Sequence, residues 1–202
     1  MKERSSRMVQ LEHLVGQLES LTPESVAELA SFVEYLKWKQ GPLPTSGVLQ
    51  AWSFDFVEHF RRAVLTAEHD PAGMEIQVGE AACAGDTRMA LWEHPPVQGS
   101  AVVEYQVPVP PDITDLGLRF ATGIRDGSQL AEGNLVAFRI FVNDWRIWSG
   151  TQRAQEWKEH EVQMPTLPGD VARVQFVTDG LGNHEWAWAV WGDPKLVART
   201  AG

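Results

Sequence analysis

The stretch AFRIFVNDW, Ala137 to Trp145, decides how the rest of this 202-residue chain is read. Phe138, Ile140 and Val142 recur every second residue, which lines them up on one face of an extended strand. Asn143–Trp145 then falls where a two-residue hairpin turn belongs. Upstream, AVVEYQV sets Ala101, Val103, Tyr105 and Val107 against Val102, Glu104 and Gln106. LGLRFATGI sets Leu116, Leu118 and Phe120 against Gly117, Arg119 and Ala121. Downstream, VARVQFVT turns Val174 and Phe176 inward with Arg173 and Gln175 outward. Proline and glycine clusters (HPPVQGS, VPPD, PTLPGD, DGLGN) separate these runs. Short alternating strands between turn signals describe a mainly β chain, an antiparallel β-sandwich or jelly roll over residues 51–197 with a tail at 198–202. Phe54–Ala67 is ambiguous, and a short helix leading into the sandwich fits it.

Residues 8–39 carry a different period. Leu11, Leu14, Leu18 and Leu21 recur at three- and four-residue spacing, which makes one stripe of a helix. Thr22 can cap a second helix with its hydroxyl, and Pro23 takes the first helical position, where no amide donor is needed. Val26, Leu29, Val33 and Leu36 share one face of that helix, while Phe32 and Tyr35 begin another. QGPLPTSG, Gln40–Gly47, ends it. The expected order is therefore a small α-helical hairpin at 1–40, a Gly/Pro linker at 41–50, and the sandwich. So short a hairpin is marginal in water and needs a partner. A second copy, giving a homo-oligomer through residues 8–39, and the chain's own sandwich serve equally well.

Charge and composition exclude several classes. A net charge of −10, with no basic run longer than FRR at Phe60–Arg62, argues against nucleic acid as a partner. Nothing approaches the roughly eighteen consecutive apolar residues of a membrane span, so no membrane partner is expected. The N-terminal residues have no apolar core of a secretory signal. A single cysteine, Cys83, leaves no internal disulfide and fits a reducing compartment, so the expectation is cytoplasmic.

Catalytic signatures are absent: no G-x-S-x-G elbow, phosphate-binding loop, H-E-x-x-H or C-x-x-C occurs. The chain reads as a non-catalytic binding protein. A carboxylate-dependent glycoside hydrolase stays as a third reading, with Glu93, Asp126 and Asp144 as its acids. No cofactor is expected. Glu93 with His94, or Glu159, His160 and Glu161, could ligate a cation if the fold gathered them, which leaves room for a structural calcium.

The stronger signal is aromatic, with nine tryptophans. A wide indole ring suits the apolar C–H face of a sugar, and polar side chains beside it address the hydroxyls. Trp145 and Trp148 lie near Asn143, Asp144 and Arg146, Trp157 lies between Glu156 and Lys158, and Trp186 follows Glu185. Those four rings, with Asp144 and Glu185, are the candidate ligand-binding residues. In HEWAWAVWGDP, His184–Pro194, alternation puts Trp186, Trp188 and Val190 on one face. Glu185, Ala187, Ala189 and Trp191 share the other. Trp188 and Val190 read as core, Trp191 as closing the sandwich edge, and Trp186 as the ring free for a ligand. The alternative is that the tryptophans fill a core or bind another protein.

Two stretches resemble known families. LVGQLESLTPESVAELASFVEYLKWKQ is similar to a small prokaryotic helical module found in short antitoxin-like proteins. That likeness implies self-association or partner binding. From about residue 85 to 196, the ordered pieces ALWEHPP, GIRDGS, AFRIFVNDW, VARVQFVTDG and WAVWGDP resemble a galactose-binding-like jelly-roll family related to carbohydrate-binding modules. The resemblance implies a module that binds carbohydrate or another surface ligand without catalysis. His94, Asp126, Trp188, Trp191 and Pro194 match its pattern. With Glu93, His94 and Asp126 are the candidate metal ligands. One position departs: the acid that usually precedes the first Trp of the closing motif is Ala187, with Glu185 two residues earlier on the same face. A site built on that acid is altered here.

Overall fold

The computed structural model describes residues 22, 52–164 and 170–200, the last two by backbone alone. All but Thr22 belong to the second of the chain's two units, residues 43–202. The hairpin expected at 1–40, its oligomer contact through 8–39 and the linker at 41–50 thus lie outside the described residues.

Among the described residues, eleven strands form two antiparallel sheets. They are β1 (Trp52–Asp55), β2 (Val64–Ala67), β3 (Glu75–Cys83), β4 (Asp86–His94), β5 (Ser100–Pro108) and β6 (Ile113–Ile124). Then follow β7 (Val136–Val142), β8 (Trp145–Gln152), β9 (Lys158–Gln163), β10 (Val171–Asp179) and β11 (Ala189–Thr200). One sheet runs β3-β4-β11-β6-β9 with β1 on β11, and the other runs β2-β5-β10-β7-β8. The mainly β sandwich is as expected, and β11 extends to Thr200, past the boundary at 197. In place of a leading helix, Phe54–Ala67 ends β1, makes one 3-10 turn at Phe60–Arg62 and begins β2.

Period two produced these strands because one face of each meets the other sheet. Leu118 and Phe120 of β6, Phe138, Ile140 and Val142 of β7, and Val174 and Phe176 of β10 are all buried in one core. Phe56, Tyr105 and Phe176 pack edge to face at its centre, and the Tyr105 hydroxyl donates to the Phe56 carbonyl at 2.9 Å. The β7–β8 turn uses Asn143 and Asp144 at φ 48° and 71°, the left-handed pair that a two-residue hairpin requires. Asn143 Oδ1 also accepts from the Arg173 amide at 2.9 Å, tying the turn to β10.

β4 and β1 share one side of β11. Val190–Gly192 pair with β4, and Lys195–Ala198 pair with β1. A register shift between Gly192 and Lys195, with Asp193 at φ 43°, marks the handover. The β3–β4 hairpin then folds across the outer face of its own sheet. A Cβ on Gly123 would lie 2.6 Å from Cys83 Sγ, and one on Gly192 2.9 Å from Trp157. Ala81, Cys83, Ala90 and Val190, with Trp92 and Trp157, make a second small apolar cluster under it.

That cover reverses the expected faces of β11. Ala187, Ala189 and Trp191 point into the main core, whereas Val190 belongs to the outer cluster. Trp191, expected at an edge, is fully buried among Phe120, Phe138 and Phe176. Trp188, expected in the core, is only half-buried.

Candidate functional site

Four loops meet at one end of the sandwich. The Val97 amide donates to the Ala72 carbonyl at 2.9 Å, and Gly73 lies against Val97 and His184. Ser128 donates its hydroxyl to the Trp186 carbonyl at 2.6 Å, and the Arg125 amide donates to the Trp188 carbonyl at 3.0 Å. Residues 68–74, 95–99, 125–135 and 180–188 are thereby drawn together.

An aromatic layer sits among them. Strand alternation puts Trp92 and His94 of β4 on the same face, beside Arg125 where β6 ends. The Arg125 guanidinium carbon is 3.4 Å from the Trp92 ring centre and 5.2 Å from that of Trp188. The His94 and Trp188 rings are parallel within 6° at 6.3 Å, and Trp186 packs on Trp188 at 5.1 Å. Trp186 is the exposed ring of the group, 40% accessible, on left-handed backbone at φ 61°. For a large side chain that conformation is an outlier, kept in place here by the Ser128 bond to its carbonyl.

Charge in this layer is held by few groups. Burial, with Arg125 adding repulsion, pulls His94 down to about 4. Glu75 Oε2 lies 3.5 Å from His94 Nδ1 and favours the cation, but Glu75 is more than half exposed, so burial prevails and the imidazole is neutral near pH 7. His94 Nε2 and Trp92 Nε1 are both buried without a hydrogen-bond partner among the described residues. Two unmet polar atoms on one layer mark hydrogen-bonding capacity that the protein leaves unused.

The predicted ligand residues do not share a surface. Trp186 and Glu185 are at the loop end, both exposed. Trp157 lies over Gly123 and Gly192 on the outer face, its indole N–H donating to the Asp86 carbonyl at 2.9 Å. Trp148 packs into the core edge against Phe120 at 4.9 Å and His160 at 4.6 Å. Trp145 and Asp144 are at the far end of β7, where Asp144 pairs with Arg173. Trp148 and Trp157 are thus half-buried against the sandwich, and Asp144 and Trp145 stand at its other end from Trp186.

The candidate metal ligands are separated too. Glu93 is wholly inside the core and accepts the Trp191 indole N–H at 2.6 Å. His94, one residue on, points to the opposite face. Asp126 caps the β3–β4 hairpin tip, accepting the Ala84 and Gly85 amides, each at 2.8 Å. Glu159 pairs with Arg88, Glu161 with Arg119, and His160 turns to Thr122. Among the described residues no three His, Cys, Asp or Glu side chains gather as metal ligands. The same placements scatter Glu93, Asp126 and Asp144, so these three do not form a hydrolase's acid pair.

Arg125 and Trp92 carry the layer, and neither was singled out from sequence. The available signal was modest: Trp92 alternates with His94 in LWEH, and Arg125 is the cation inside GIRDG.

No protein-family model matches this chain, and no curated protein is similar to it. Solved structures similar to it include the second CBM51 module with adjoining domains of Clostridium perfringens ZmpB, in complex with GlcNAc (14% identity over 66% of this chain, TM-score 0.46). Another is the CBM51 module from Clostridium perfringens GH95 in complex with methyl-galactose (12% identity, 72% of this chain and 99% of that one, TM-score 0.46). A third is the Stig cyclase Fisc from Fischerella sp. TAU (12% identity, 78% of this chain and 93% of that one, TM-score 0.47). The chain spans 29% of the length of the first. What this sandwich binds has to come from its own side chains.

Proposed function

We propose that the sandwich is a non-catalytic carbohydrate-binding module whose stacking ring is Trp186. The observation that carries this is a large apolar ring, 40% exposed, set on left-handed backbone and backed by Trp188. Sugars stack on such a ring through their C–H faces, and a preset ring loses little freedom on binding. Glu185, Asn183 and His184 stand in the same loop to address hydroxyls. The same reading gives residues 8–39 a role in self-association and places the protein in the cytoplasm.

A glycan array with the full chain tests it, alongside Trp186→Ala. We expect one group of glycans to bind and the variant to lose that binding while keeping a wild-type far-ultraviolet spectrum and urea midpoint. A flat response across the array sinks the reading.

A protein partner is favoured by one other observation. The edge strand β2 exposes Val64 and Leu65, at 54% and 41%. Replacing both with lysine should lower a mass above that of the monomer in light scattering, and an unchanged mass removes this alternative.

A further inference from the structure

Resting on the carbohydrate reading, we propose that the ligand carries a carboxylate and that Arg125 binds it, so that the ligand class is an acidic glycan.

Four arginines among the described residues are half-buried: Arg88, Arg125, Arg139 and Arg173. Three of them have carboxylate partners. Arg88 pairs with Asp86 and Glu159, Arg139 with Asp179, and Arg173 with Glu104 and Asp144. The Arg125 guanidinium has no ion pair and donates no hydrogen bond among the described residues. Among the described residues, the rings of Trp92 and Trp188 are what lie against it. A charge withdrawn from water without a partner is costly, and a guanidinium offers five donors.

Geometry says where those donors go. A guanidinium carbon 3.4 Å from a ring centre leaves no room for an edge-on approach, so the plane lies along the Trp92 face. Its N–H rim then runs parallel to the ring, presenting the fork that a carboxylate accepts in two parallel bonds. Trp186, two rings along the same layer, supplies the apolar platform for the rest of the sugar. Polyphosphates fit poorly, since Arg125 stands beside Glu75 and the loop bearing Glu185 rather than in a cationic cluster. Glu75 acts on Arg125 from beyond salt-bridge distance and meets His94 instead. It is the natural brake on anion affinity.

The experiment is calorimetric titration of the full chain with trigalacturonate and its methyl ester, and with sialyllactose and lactose. We expect one acid to bind about tenfold or more tighter than its neutral counterpart, with the gap shrinking in about 0.5 M sodium chloride. Which acid wins separates a uronate from a sialate. Arg125→Gln should abolish the gap, Arg125→Lys should restore only part of it, and Glu75→Gln should widen it. Equal binding of acid and neutral partner overturns the carboxylate assignment while keeping the carbohydrate reading. A gap that survives Arg125→Gln overturns the role of Arg125. Silence toward every glycan by folded protein overturns both. The ester comparison and Glu75→Gln decide the matter even if the Arg125 variants do not fold.

Discussion

Trp191 donates its indole N–H to Glu93 Oε2 at 2.6 Å inside a core where neither residue reaches solvent. The Glu93 backbone carbonyl also accepts the Thr178 hydroxyl at 2.6 Å, so this point of β4 is bonded to both β11 and β10. Two sheets are stitched by one residue. Among the described residues, the remaining carboxyl oxygen, Oε1, has no hydrogen-bond partner.

Burial pushes Glu93 well above its ordinary 4.5, more than hydrogen bonding from the Trp191 indole and the Thr178 backbone amide offsets. The folded protein therefore keeps a proton that the unfolded chain gives up above about pH 4.5. Stability from this group is complete below that pH and falls as pH rises toward the folded value. Glu93→Gln cannot titrate, so its stability relative to wild type should climb with pH from about 5, by on the order of 1 kcal/mol per unit. Urea melts at several pH values check this, and a constant difference would show that Glu93 is ionised in the fold.

His94 behaves in the opposite sense. Its imidazole is held near 4 in the fold against an ordinary 6.5, so the unfolded chain takes up the proton first on acidification. Its contribution is fully present above about pH 6.5 and is lost between there and about 4. His94→Gln should flatten the acid limb of the stability profile over that window. An unchanged limb would assign the acid sensitivity elsewhere.

Gly192 and Trp157 should be coupled. A methyl at Gly192 would sit 2.9 Å from the Trp157 ring, so Gly192→Ala should cost about 1–3 kcal/mol by overpacking. Trp157→Ala should cost about 3 kcal/mol through lost contacts over Gly123 and Gly192. Together they should cost less than the sum, since the ring that clashes is gone. Strict additivity in urea melts would place Trp157 off this face.

Cys83 should be inert despite being the lone thiol. Burial first, and Asp126 second, push it up to about 12. Thiol titration with a disulfide reagent at pH 8 should proceed only as fast as the hairpin opens or the protein unfolds. Rapid stoichiometric reaction would contradict the packing of Cys83 over Gly123.

Most of the sandwich was legible because strands such as β5, β7 and β10 bury one face only, and period two reports that directly. β11 was misread for the same physical reason inverted. Val190 is covered by the folded hairpin and Gly192 by Trp157, so both faces are apolar and alternation has no preferred phase. The tryptophans with polar sequence neighbours do not share one surface, because neighbours in the chain point to opposite faces of a strand. Trp186 lies outside strand pairing, where a loop sets its exposure. The Arg125 layer was hidden because it joins β4, the end of β6 and the 180–188 loop, a juxtaposition that only the sheet order creates.

Asp126 grips the Ala84–Gly85 tip through both amides, and its neighbour Arg125 lies against Trp92. The two ends of one peptide unit thus serve as a mechanical clamp and as the proposed ligand contact. Whatever seizes the hairpin tip, be it an antibody, a crosslinker or a fused peptide, pulls on the corner that aims the guanidinium. A surface-immobilised form of this protein should be anchored elsewhere, for instance at the exposed Pro111–Asp112 turn between β5 and β6, and a binder raised against the tip becomes a remote handle on ligand affinity.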